Sequence, residues 1–455
     1  MNGVNEVNEV EEVRDYANEL ENLERAVRTA RVEHWELHLR AAWVLECQFR
    51  LGKMEIEREV WSRSYFLRVL DQKDGSTGVG VVEGSTFAPR VVDDLVATAV
   101  GLAKSNSGPP YQFPTPGRAA PRVQSLEPVV ASDPKEALRR QVEAVQGELD
   151  ECRSRPSFGK LRLVVSRTWL RNSNGLDLEK DHSSWFFEYS LVADSPSGKA
   201  EYWDDFRCKT SAGLTGKLPS WDQLARDSLV ASHANGNPKA TVVFSPKVFA
   251  ELVVPVLGYH ASGAAAHEKL TKFTDLGSRV AHESLTLQDD GLATDCTRCA
   301  PWDGEGSPSQ TTTVVERGVF KSRIYDQTFG PLSGKESTGN GLRASTGTIS
   351  NSPTNFVVAP GDRSLEELFE GVRDGLYVLK FSWLNPDPVT GTFGAEVRNA
   401  YRIEGGKLGA PVKGGSVSGN VFDVVRNLGG LSKQVEAVNN ARVPWVGAEG
   451  LTVSG

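Results

Sequence analysis

A period of two, sustained over long segments, constrains this chain more than any other feature. The segments WELHLRAAWVLECQFR (35–50) and EREVWSRSYFLRVLDQ (57–72) alternate apolar with polar residues and are rich in aromatic and branched side chains. Successive side chains of a strand point to opposite faces, so the pattern predicts antiparallel strands with one face buried. LRLVVSRTWLR and SSWFFEYSLVAD repeat it around Asn172-Ser173-Asn174-Gly175, where Asn-Gly is a strong hairpin signal. Asp74-Gly75 and Glu83-Gly84 read as further turns. After a short strand, ATVVFS, and a helix opening at Pro246, the second half carries short strand segments with Gly-rich turns: SLTLQDD, TTTVVERGVFKSRIYD, NFVVAPGD, GLYVLKFSW, EVRNAYRIEGGKL and GLTVSG.

Helical periodicity is confined to fewer places. Val4, Val7, Val10, Val13, Tyr16, Leu20, Leu23 and Val27 recur at spacings of three and four, the stripe of an amphipathic helix. Val91 to Lys104 reads as a helix, followed by a Pro/Gly/Ser-rich loop from Ser105 to Pro121. Ser132-Asp133-Pro134 caps a helix running to about Glu151. Further helices are expected near Trp221–His233 and over Ser364–Asp374. Strands in runs with segregated helices indicate the α+β class. The loop ANGNPKA suggests a boundary between an N-terminal α+β domain of antiparallel sheet with flanking helices (1–230) and a strand-rich C-terminal domain (231–455).

Composition removes several function classes. A formal charge of −8 argues against nucleic acid as the main partner, because phosphates call for a basic face. Five sparse cysteines in 455 residues fit a reducing compartment better than a disulfide scaffold. The acidic start lacks the pattern of a secretory signal, and the longest apolar run, Val253 to Gly263, is too short to span a bilayer. A cytoplasmic location is the expectation.

Catalytic signatures are weak. His260 and His267 stand seven apart, two turns of a helix, whereas two ligands of one zinc want one turn; together with His282 they read as surface or capping histidines. Cys296 and Cys299 form a single CxxC in a loop and read as ordinary reduced thiols. There is no GxSxG elbow and no phosphate-binding glycine loop. The carboxylates Asp289, Asp290, Asp303 and Glu305 could bind a cation but read as solvated loop residues, and the glycines of Gly304-Glu305-Gly306 and Gly339-Asn340-Gly341 as turns. No catalytic residue and no metal ligand is assigned to this chain.

The ordered landmarks of the second half carry a resemblance. They are LGSRV (276–280), SLTLQDD (284–290), WDGEGSPSQ (302–310), VERGV (315–319), STGNG (337–341), APGD (359–362), DPVTG (387–391) with Phe393, and the terminal EGLTVSG (449–455). Their order and spacing resemble the TldD/TldE (PmbA) family of microbial peptidase subunits. The turn Asn172 to Leu176 fits as well.

The resemblance implies a working pair. TldD-type subunits of the family carry an HExxxH zinc motif on a helix and a later cysteine ligand; TldE-type subunits lack them. In this sequence the window falls on Val254 to Tyr259: Val254 and Tyr259 stand at the histidine positions and Pro255 at the glutamate. A slip of one residue would bring in His260 but would not restore the other groups. The 438–447 region has no cysteine. The chain is therefore similar to a TldE/PmbA-type subunit that binds no cofactor itself, with zinc in a TldD-like partner of a heterodimer. It would complete a cavity for a peptide or peptide-like substrate, lined by Tyr259, His260, Asp303, Glu305, Thr338 and Asn340. Two alternatives stay open: a retooled amide hydrolase using Cys296/Cys299 or His260/His267, and a non-catalytic structural or regulatory binding protein.

Overall fold

The computed structural model describes residues 16–196 and 198–455. The N-terminal apolar stripe is seen from Tyr16 onward, as helix α1 (Ala17–Thr29) with Leu20, Leu23 and Val27 buried; its positions Val4 to Val13 lie outside the described residues.

The period-two segments pair as expected. Strands β1 (Trp35–Arg50), β2 (Lys53–Lys73), β3 (Ser76–Gly84), β4 (Arg155–Asn172), β5 (Asp177–Ser195) and β6 (Gly198–Cys208) form an antiparallel sheet in the order β3-β2-β1-β4-β5-β6. One face buries Leu37, Leu39, Trp43, Leu163, Trp185 and Phe187 against α1, α2 (Pro89–Ser105), α3 (Pro134–Glu151) and α4 (Leu218–Asp227). Truncating one such leucine to alanine would cost about 2–5 kcal/mol. Asp133 caps α3 by accepting the Glu136 N–H. In the β4–β5 hairpin the Asn172 side chain accepts the N–H groups of Asn174 and Leu176, which fixes the turn. Glu83-Gly84 is not a turn: it ends β3 opposite Tyr65, whose ring would lie 2.3 Å from a Cβ at Gly84.

The second sheet is mixed. Its main path runs β10 (Val319–Phe320), β9 (Thr311–Glu316), β8 (Leu287–Asp290), β13 (Phe356–Val358), β19 (Ala441–Ser454), β17 (Ser416–Asn420), β15 (Thr392–Glu404), β14 (Asp374–Phe381), β7 (Asn237–Phe244). The pairing of β19 with β7 curls it back on itself. β16 (Lys407–Val412) joins β15 and β18 (Leu428–Val438) joins β19, while β11 (Gly341–Arg343) pairs separately with β12 (Ile349–Asn351). Helix α5 (Pro246–Ala261) is capped by Ser245 and packs Phe249, Leu252, Val253, Val256 and Leu257 into this core. A short α6 (Gly263–His267) follows it.

Several element boundaries move. The helix expected to His233 ends at Asp227, because the following residues turn away to pair with β16, the Ser232 N–H donating to the Pro411 carbonyl at 3.2 Å. ANGNPKA is only partly a loop, since β7 begins at Asn237. TTTVVERGVFKSRIYD breaks at Arg317-Gly318, both at positive φ. The helix placed over Ser364–Asp374 is shorter, α7 (Leu365–Glu370), set by a Ser364/Glu367 capping box, and Asp374 already opens β14. Helix α8 (Val421–Arg426) and the β18–β19 hairpin were not expected as such. Among the described residues no helix is long and apolar enough to cross a membrane.

Candidate functional site

The second face of the N-terminal sheet meets loops of the C-terminal half, and a cavity of about 510 Å³ lies between them. Its sheet wall comes from β1, β2, β4 and β5: His38, Arg40, Ser64, Phe66, Ser166, Thr168, Lys180 and His182. Its other wall comes from the segments 298–304, 339–345 and 352–354.

Those loops are held by buried carboxylates. Asp303 accepts the backbone N–H groups of Glu305 and Ser307, both at 2.9 Å, and of Gly341 at 2.8 Å. Glu305 is fully buried; Tyr111 donates to its Oε1 and the Gln327 N–H to its Oε2, both at 2.9 Å. Burial pushes both carboxyls above the ordinary range, helped at Glu305 by the charges of Asp303 and Asp326. Asp289 accepts from Asn340 Nδ2 at 2.6 Å and from the Thr354 N–H and hydroxyl at 2.7 and 2.8 Å. Burial pushes Asp289 up to about 6, against the pull of those hydrogen bonds. The reading of these side chains as solvated is therefore corrected: Asp289, Asp303 and Glu305 are structural acceptors inside the protein. Asp290 is only half-buried.

Among the residues expected to line a cavity, Asp303 and Asn340 do so here. Thr338 and Glu305 lie behind this wall. The Thr338 hydroxyl accepts the Tyr325 N–H and stands 2.6 Å from Asn340 Oδ1. Gly339 joins the two with φ +80°, and a Cβ there would stand 2.7 Å from the Pro308 carbonyl oxygen. Tyr259 and His260 lie at the end of α5, outside the lining. His260 is a correction to the surface reading. It is fully buried, its Nδ1 accepting the Lys272 N–H at 2.9 Å and its Nε2 bonding the Val389 carbonyl at 3.0 Å. His267 and His260 do not share a helix face, because the chain turns at Ser262 between α5 and α6. His282 caps a local turn through Ser284.

Sequence reading missed the sheet wall. The signal was present as polar residues on alternate positions of strands whose other face is apolar: His38 and Arg40, Ser166 and Thr168, Lys180 and His182. Lys180 donates to the Trp302 carbonyl at 2.7 Å and stands 3.6 Å from the centre of that ring. Burial holds its ammonium down to about 7, against the raising effect of Asp303. Burial, with Lys209 adding to it, holds His182 down to about 3, and His38 is also lowered, by burial and then by Arg343 and Lys180. Both imidazoles are therefore neutral at pH 7. Arg343 bridges the walls, bonding Glu36 of β1 and the Gly304 carbonyl. Cys299 also touches the cavity; burial pushes it up to about 11 and raises Cys296 as well, so neither is poised as a thiolate. Among the described residues no group of three or more His, Cys, Asp or Glu is placed to hold a metal.

This C-terminal architecture has known counterparts. Residues 237–455 match the model of the PmbA/TldA metallopeptidase C-terminal domain. Over that stretch, just under half of its length, the chain is similar to the C-terminal domain of PmbA/TldA metallopeptidases. An uncharacterised protein of Methanocaldococcus jannaschii is 30% identical over 274 residues, covering 59% of this chain and 62% of that one. A protein of Buchnera aphidicola named as a metalloprotease TldD homolog is 29% identical over 179 residues, 39% of this chain and 37% of its own length. The chain thus spans less than two thirds of the curated relatives it matches. The fold extends further than these alignments. The crystal structure of TldE from Thermococcus kodakarensis covers 95% of this chain and all of its own, with a TM-score of 0.82 at 20% identity. The segment that matches this model thus supplies the loop wall of the cavity, and the preceding sheet supplies the other.

Proposed function

We propose that this chain is the TldE/PmbA-like subunit of a heterodimeric TldD/TldE zinc metallopeptidase, and that it completes the substrate cavity without binding the metal. The observation that carries this reading is the state of α5. Its apolar face is fully packed, and Gly258 sits so close to the cavity wall that a Cβ would stand 2.8 Å from the Pro353 ring. Yet the positions at which the family's zinc motif would fall hold Val254, Pro255 and Tyr259.

The donor set does not fit zinc. Valine has no lone pair, and proline offers neither a ligand nor a transferable proton. Burial and then Glu268 raise the Tyr259 phenol, so it stays protonated at neutral pH. His260 is no substitute, because both its nitrogens are engaged. No step is therefore routed through a metal in this chain; cleavage of a peptide or amide bond belongs to the zinc-bearing TldD-like partner. This chain contributes walls, main-chain pairing groups and fixed charges. A reaction run by its own thiols draws no support from Cys296 and Cys299, which are fully buried and raised.

The test is to purify the chain, measure bound zinc by mass spectrometry, and assay peptide hydrolysis with and without a TldD-type chain. Activity is expected only in the mixture, with zinc stoichiometric to the partner. Stoichiometric zinc and hydrolysis in the lone chain would overturn the reading.

A further inference from the structure

The sheet wall holds an ordered row of side chains. Ser64 of β2 stands opposite Arg40 of β1, Arg40 opposite Thr168 of β4, and Thr168 opposite Lys180 of β5. All four line the cavity. Neighbouring strands lie about 5 Å apart, so Arg40 and Lys180, two strands apart, flank Thr168 at about 10 Å. The next row sets Ser166 opposite His182. From the other wall Arg298 reaches the same space, one of its guanidinium nitrogens donating to the Pro353 carbonyl at 3.0 Å.

The charges in this cavity do not cancel internally. Among the described residues neither Arg40, Lys180 nor Arg298 makes an ion pair with a carboxylate, whereas Arg343 pairs with Glu36, which it shares with Arg68. The acidic groups in the lining are Glu83, at the exposed end of β3, and Asp303, whose oxygens already accept three backbone N–H groups. With Glu83 at the exposed rim and Asp303 already saturated by backbone donors, the Arg40 and Arg298 guanidiniums, with whatever fraction of Lys180 is protonated, leave the enclosed part of the cavity net positive. In a chain whose formal charge is −8, that is a local inversion of sign. Guanidinium groups match a carboxylate with two parallel donors, and the Ser64 and Thr168 hydroxyls add neutral ones. A volume of about 510 Å³ is that of a small-ligand site.

We propose that this cavity binds the carboxylate of a short peptide, held between Arg40 and Arg298 with Lys180 on the sheet floor. This rests on the peptidase-subunit reading for the word peptide, but not for the word carboxylate. A small excess of positive charge suits a singly charged carboxylate better than a doubly charged phosphate. The carboxylate is either the free C-terminus or an acidic side chain.

The experiment uses the full chain without a partner. Binding of trialanine is followed by calorimetry beside its C-terminal amide, an amidated tripeptide with a central glutamate, and inorganic phosphate. The free acid is expected to bind about tenfold or more tightly than the amide, the worth of one charge-assisted contact. Arg40→Gln, at an exposed position on the sheet, is expected to narrow that difference by about threefold or more, with Arg298 and Lys180 still in place. Tighter binding of the glutamate peptide than of trialanine would keep the carboxylate and assign it to a side chain. Equal binding of acid and amide, no binding of any peptide, phosphate binding as tightly as the best peptide, or an Arg40→Gln variant that discriminates as strongly as the unaltered chain would each overturn the proposal. Because neither zinc nor hydrolysis is read out, a negative result here leaves the subunit reading standing, and failure of the subunit test leaves the carboxylate site standing.

Discussion

The hydroxyl of Tyr111 donates to Oε1 of Glu305 at 2.9 Å, across 194 residues of sequence. Tyr111 belongs to the Pro-rich loop of the N-terminal half, and Glu305 lies behind the cavity wall of the C-terminal half. The Arg68 guanidinium stacks on the Tyr111 ring, 4.9 Å from its centre, and pairs with Glu36 at 3.3 Å. A buried ionic network therefore joins the two halves. Such a network holds geometry more than it adds stability, because desolvation offsets most of its Coulomb energy.

Tyr111→Phe should lower stability by about 1–3 kcal/mol, since a buried acceptor loses its donor. The effect of pH is sharper. Glu305 has its folded pKa raised, so the folded state holds the proton more tightly than the unfolded one. Its contribution to stability therefore falls as pH rises from the ordinary carboxylate range through neutrality. Glu305→Gln removes that titration; its amide oxygen keeps the Gln327 N–H contact, and its NH2 turns the other around by donating to the Tyr111 hydroxyl. Urea unfolding between pH 5 and pH 8 should show a shallower loss in the variant; an unchanged slope would assign the pH dependence elsewhere.

Asn340→Asp should be far worse than its size suggests. Asn340 Nδ2 donates to Asp289 at 2.6 Å, and the substitution sets a second carboxylate against the first. The expected loss at neutral pH exceeds about 3 kcal/mol. It should shrink below pH 5, where one shared proton replaces the lost donor, and the measurement is the melting temperature as a function of pH.

Two glycine-to-alanine changes within helices should have opposite signs. A Cβ at Gly258 would stand 2.8 Å from the Pro353 ring, so overpacking of about 1–3 kcal/mol exceeds the roughly 1 kcal/mol of helix propensity gained. A Cβ at Gly101 in α2 meets nothing within 4 Å, so there the gain should stand alone. Thermal unfolding of the two variants side by side checks both.

Cys296 and Cys299 should resist thiol reagents in the native protein, because both are fully buried and burial pushes the thiols up. Labelling followed by peptide mapping should find them modified only after unfolding. Rapid native modification of either would reopen thiol chemistry at the cavity.

The sequence by itself determined the strands, the hairpin at Asn172 to Gly175, the cap of α3 and the landmarks of the TldD/PmbA domain. Each of these is a local pattern: alternation, turn chemistry, a capping side chain or a short ordered motif. It also determined that Val254, Pro255 and Tyr259 stand where the resemblance places a zinc motif, because residue identity needs no coordinates. Only the tertiary structure decided that Asp289, Asp303 and Glu305 are buried acceptors rather than solvated carboxylates. Their partners, Asn340 and Thr354, Gly341, and Tyr111, come from distant segments. The same holds for the row Ser64, Arg40, Thr168, Lys180. Alternation marks which residues share a face of each strand, but the register between four strands, and the loops that close over that face, are set by pairing and packing across the whole chain.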